Sequence, residues 1–64
     1  MLMNYQKDYK FVFEDGYTTT LQAKGKGRSR ILLSAFHPDR VGQTAIGCVE
    51  DEEDKTFKAK VEKL

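Results

Sequence analysis

Apolar and polar positions alternate along most of this chain with the period of a β-strand. In "YKFVFEDGYTTTLQA" (residues 9–23), two runs rich in aromatic and β-branched residues flank Asp15-Gly16, which is the composition of a β-hairpin. The same pattern selects a register. A two-residue loop at Asp15-Gly16 would set Phe13 against Thr18 and Phe11 against Thr20, laying an apolar stripe beside a polar one. A three-residue loop of Glu14, Asp15 and Gly16, with Gly16 left-handed, sets Phe13 against Tyr17, Phe11 against Thr19 and Tyr9 against Leu21. One face then becomes apolar, so the three-residue loop is the register expected.

Near the other end, "KTFKAKVEKL" places Phe57, Ala59 and Val61 on one side and Thr56, Lys58, Lys60 and Glu62 on the other, the clearest strand pattern in the chain. "QTAIGCVE" (residues 43–50) is short, apolar and β-branched, with Gly47 marking a bulge or a close approach. "RSRILLSAF" (residues 28–36) fits either element. Leu32, Leu33 and Ala35 suit a helix that Ser29 would cap, but Gly25 and Gly27 confine that helix to about two turns, which is marginal in isolation. Read as a strand, it completes five antiparallel strands over about 8–14, 17–24, 30–37, 43–50 and 55–62. The fold expected is therefore all-β, a small five-stranded barrel or strongly twisted sheet of SH3-like or OB-like form. The alternative is α+β in ββαββ order.

Composition narrows the picture further. Sixty-four residues, 39% of them hydrophobic, form a single small domain over 1–64, with 1–6 as a loosely ordered tail. A domain of this size has stability near break-even once roughly 1.5 kcal/mol of ordering entropy per residue is subtracted. The lone Cys48 allows no internal disulfide and no zinc cluster of the usual kind. "MLMNYQKDYK" holds no apolar run, which argues against a signal peptide or anchor. A soluble, cytoplasmic protein without a cofactor is expected.

The 11 basic and 10 acidic residues nearly cancel, yet they are segregated. "KGKGRSR" carries Lys24, Lys26, Arg28 and Arg30 without an acid, and "EDEED" carries Glu50, Asp51, Glu52, Glu53 and Asp54 without a base. Both are expected as loops. The basic one, extended by Lys58 and Lys60, is a candidate footprint for nucleic-acid phosphates. Tyr5 is the freest of the three tyrosines for stacking on bases, since the alternation puts Tyr9 and Tyr17 on the core face. The acidic loop is a candidate docking site for a protein partner, and it lacks the alternating carboxylates and glycine turn of a calcium loop.

The run "AFHPDR", preceded by Arg28 and Arg30 and containing His37, Pro38, Asp39 and Arg40 after an aromatic Phe36, resembles the loop of J-domain co-chaperones. In that family the loop joins two long antiparallel helices and stimulates a chaperone ATPase. The resemblance covers about a dozen residues, and the flanks "FVFEDGYTTTLQ" and "VGQTAIGCVE" have β chemistry where the family has helices. Outside the resemblance, Pro38, Asp39 and Gly42 read as a turn between two strands. His37, Asp39 and Cys48 supply one each of the residue types of a thiol nucleophile site, but so small a fold offers little enclosed cleft. No enzyme activity and no metal site are expected.

Two functional readings follow. The first is a small non-enzymatic protein-interaction module, an inhibitor or adaptor of the kind mobile elements encode, docking on a larger partner through its charged loops or a strand edge. The second is a nucleic-acid-binding barrel using residues 24–30. An open edge and a small core also favour a homodimer.

Overall fold

The computed structural model describes residues 5–64. It contains β1 (Lys7–Phe13), β2 (Thr18–Ala23), α1 (Lys26–Phe36), a 3-10 turn (Pro38–Arg40), β3 (Thr44–Val49) and β4 (Phe57–Lys60). The strands form one antiparallel sheet in the order β2-β1-β3-β4, so the first strand of the chain is internal. The hairpin has the register its apolar pattern dictates: Tyr9 pairs with Leu21 and Phe11 with Thr19, Phe13 N–H donates to Tyr17 C=O at 2.8 Å, and Gly16 has φ +92°.

The five-stranded barrel is not formed. Residues 26–36, expected to hold a strand over 30–37, are helical, so the fold is α+β with four strands in an open sheet. The glycines do not prevent the helix, because Gly25 is its extended N-cap (φ −166°) and Gly27 lies in its first turn, where a glycine costs least. Ser29 and Leu33, one turn apart, point into the core. Ser29 Oγ donates to Lys26 C=O at 2.7 Å, so its hydroxyl is satisfied inside the protein. Pro38 then disfavours continuation beyond His37. The segment containing Pro38, Asp39 and Gly42 therefore connects a helix to a strand, not two strands, and Gly42 takes φ +93° just before β3.

One face of the sheet carries Tyr9, Phe11, Phe13, Leu21, Ala23, Ala45, Ala59 and Val61, and Leu33 of α1 packs against them. Gly47 sits in the middle of this face, paired with Phe11 on one side and Phe57 on the other. The two rings meet edge to face above it, 5.8 Å between centroids, in the space a β-carbon would need. The close approach implied by this glycine is thus made by side chains. The shortest dimension, 15 Å, accommodates only these two layers.

The other face has no covering element among the described residues. It presents Asp8, Lys10 and Val12, then Thr44 and Ile46, with Lys58 and Lys60 on β4 and Thr18, Thr20 and Gln22 on β2. Of the expected tail, residues 1–4 lie outside the described residues, while Tyr5 is 77% exposed ahead of β1. Among the described residues, no helix is long and apolar enough to cross a membrane.

Candidate docking surface

Strand parity fixes which backbone groups each edge offers. Because Phe13 bonds to Tyr17, the odd residues of β2 turn their N–H and C=O groups toward β1, and Thr18, Thr20 and Gln22 turn theirs outward. Val61 N–H and C=O bond to Gln43 and Gly42, so on the opposite edge Lys58, Lys60 and Glu62 turn outward. Both edges lack a strand partner among the described residues, but they are treated differently.

The β4 edge is guarded. Arg30 Nε donates to Lys58 C=O at 3.2 Å, and Glu62 N–H donates to Ser34 Oγ at 2.9 Å. Lys58 and Lys60 add charge, a common means of keeping edges apart. The β2 edge has no such device. Thr18, Thr20 and Gln22 are exposed and uncharged, and β2 contains no Pro, Gly or bulge. Helical geometry places Arg28, Leu32 and Ala35 on the flank of α1 opposite Arg30 and Ser34, hence toward β2. Leu32 is half-buried there, and Phe36 at the helix end is 61% exposed.

The candidate cations do not form a basic loop. Lys24 precedes α1, and Lys26, Arg28 and Arg30 lie within it. Lys26 Nζ and Arg30 stand 5.5 and 5.0 Å from the Phe57 ring centroid, an attraction to the ring's π-face. Arg28 projects from the other flank, while Lys58 and Lys60 face the uncovered side of the sheet. Arg30 nonetheless borders one hollow at the β4 edge together with Lys58 and Lys60, so three of the six candidates meet there, while Lys24, Lys26 and Arg28 do not. Glu50, Asp51, Glu52, Glu53 and Asp54 are all exposed in the β3–β4 connection. Glu52 N–H to Val49 C=O and Lys55 N–H to Glu52 C=O, 2.8 and 2.9 Å, hold its turns. This connection leaves the sheet at the end where α1 begins, separated from β2 by β1.

The His-Pro-Asp segment lies at the opposite end and lacks the scaffold of a helical hairpin, since β3 follows it. His37 Nδ1–H donates to Leu33 C=O, 3.0 Å, and Nε2 approaches Tyr17 Oη at 3.5 Å. Arg40 stacks on Tyr17 and Phe13, 4.2 and 4.7 Å from their centroids, and pairs with Asp15 at 3.2 Å. The backbone N–H of Tyr17, donating to Asp15 Oδ1 at 3.0 Å, and secondarily Arg40 hold the Asp15 carboxyl below its ordinary range. Arg40 thus ties the β1–β2 turn to the chain leaving α1. Tyr17, expected on the core face, is at its rim and 42% exposed.

The thiol-site residues are not brought together. Cys48 is buried on the side of the sheet away from α1, whereas His37 contacts Phe13 on the helix side. Among the described residues no group of three His, Cys, Asp or Glu converges as a metal site. The β2 edge is the feature the sequence did not single out, because strand order was needed to make β2 terminal. No family model matches the chain, and neither the curated proteins nor the solved structures yield a match.

Proposed function

We propose that this protein is a non-enzymatic protein-interaction module, of inhibitor or adaptor type, that docks another polypeptide by strand addition to β2. The observation that carries this reading is the contrast between a β4 edge blocked by Arg30, Ser34 and two lysines and a β2 edge left uncharged and open. An added strand would gain main-chain hydrogen bonds from Thr18, Thr20 and Gln22, and its alternate side chains would meet Leu32 and Phe36. The nucleic-acid reading has less support, since Lys26 and Arg30 are engaged with Phe57 and the hollow that Arg30, Lys58 and Lys60 share also carries the acid Glu62. The acidic connection offers charge alone, and exposed charge contributes little to affinity.

Selection of peptides from a randomised display library on the immobilised protein tests the proposal. Recovered sequences should alternate apolar and polar positions, and their binding should be lost on Thr20→Pro, which removes an outward N–H at a position where an edge strand tolerates proline. Peptides that bind the Thr20→Pro protein as well as the parent would place the docking surface elsewhere.

A further inference from the structure

Resting on that reading of the β2 edge, we infer that the strand completing it is β2 of a second copy, giving a twofold dimer with one continuous sheet. The side chains make the edge self-complementary. In an antiparallel pairing centred on Thr20, Thr20 faces Thr20 and Thr18 faces Gln22, each facing pair exchanging two main-chain hydrogen bonds. No like charges meet. The same operation on β4 would bring Lys58 and Lys60 of one copy against those of the other, in addition to displacing Arg30 and Ser34.

Charge beyond the strand ends points the same way. The pairing that sets Thr20 on the axis brings Lys24, just past β2, opposite Gly16 of the second copy and beside its Asp15 and Glu14. Basic and acidic ends alternate across the axis, which favours antiparallel self-association over repulsion.

The helices share one side of the seam. Both copies of α1 lie on the same side of the joined sheet, with the Arg28, Leu32 and Ala35 flanks facing each other. The rise of 1.5 Å per residue sets Leu32 nearest the axis and Arg28 of one copy toward the exposed Phe36 of the other. Each α1 is also bonded to its own β4 edge through Arg30 and Ser34, so it spans the width of its sheet and stands back from the axis.

Sedimentation velocity over a wide concentration range tests this on the whole chain. The parent should shift from monomer to dimer, and Thr20→Pro should weaken association by about 100-fold or more. Thr20→Lys, which leaves the backbone intact and sets like charges together on the axis, should also be monomeric, with unchanged far-UV circular dichroism. In a Cys48→Ser background, Thr20→Cys should oxidise to a covalent dimer, because facing residues of a hydrogen-bonded pair lie about 5.5 Å apart, within disulfide reach. A parent monomeric at every concentration overturns the self-pairing, and if peptides sensitive to Thr20→Pro still bind it, the edge reading survives with another polypeptide as occupant. A dimer that ignores Thr20→Lys and does not cross-link at position 20 also overturns it.

Discussion

At Gly47 a missing side chain stabilises the fold. Glycine weakens a strand interior in general, so Gly47→Ala would be favourable on propensity alone. Here the added carbon would lie 2.7 Å from Phe11 Cδ1 and 3.0 Å from Phe57 Cζ, and Phe11 is fully buried with no room to rotate away. Overpacking therefore outweighs propensity, and Gly47→Ala should destabilise by about 1–3 kcal/mol, read as a lower urea midpoint at constant slope. Asp15 offers a second test at this scale. Its carboxyl is lowered by the Tyr17 N–H and then Arg40, so the unfolded chain binds its proton at higher pH than the folded one. That contribution is complete above the ordinary value of 3.8 and is lost as pH falls through the lower folded value. Asp15→Asn keeps an acceptor for Tyr17 but loses the charge, and the variant should show a shallower fall in stability between about pH 5 and pH 2. An unchanged acid slope would mean that neither the Tyr17 N–H nor Arg40 stabilises the Asp15 carboxylate.

Among the elements, the β1–β2 hairpin was legible residue by residue, since only one loop length aligns Phe13, Phe11 and Tyr9 with an apolar counterpart face. β3 and β4 were legible for the same reason, though β4 is shorter than its alternation. The helix was not. Its buried face includes Ser29 and Ser34, which a hydropathy pattern counts as polar, and each is satisfied by a partner visible only in the fold. Gly25 and Gly27 look like breakers but occupy the cap and the first turn. Gly27 meets nothing within 4 Å where a β-carbon would stand and has no positive φ, so Gly27→Ala should stabilise the protein by about 0.4–1 kcal/mol, measured by chemical denaturation. The serines should separate as well. Ser34→Ala leaves the Glu62 N–H without its acceptor and should cost about 0.5–1.5 kcal/mol. Ser29→Ala removes only a bond back to its own helix while raising helix propensity, and should stay within about 0.5 kcal/mol of the parent.

For the molecule as a whole, the charged runs that dominate the sequence proved less informative than strand order. Lys26, Arg28 and Arg30 are close in the chain yet splay around a helix that Lys24 precedes, and only the order β2-β1-β3-β4 reveals that the uncharged Thr18–Thr20–Gln22 row is an edge. A two-layer fold of 64 residues buries a smaller fraction of its surface than a larger domain does, so a second copy joined at that edge would carry part of the folding free energy. Stability should then depend on protein concentration, because mass action favours a folded dimer over two unfolded chains. Each tenfold rise in concentration adds about 1.4 kcal/mol per dimer, which for a domain of this size shifts the thermal midpoint by on the order of 3–5 °C. Thr20→Lys, whose substitution touches neither the core nor Gly47, should show a midpoint independent of concentration and equal to that of the parent at high dilution. Differential scanning calorimetry over two decades of concentration makes the comparison, and a parent midpoint as constant as that of Thr20→Lys would mean that the sheet is complete with four strands.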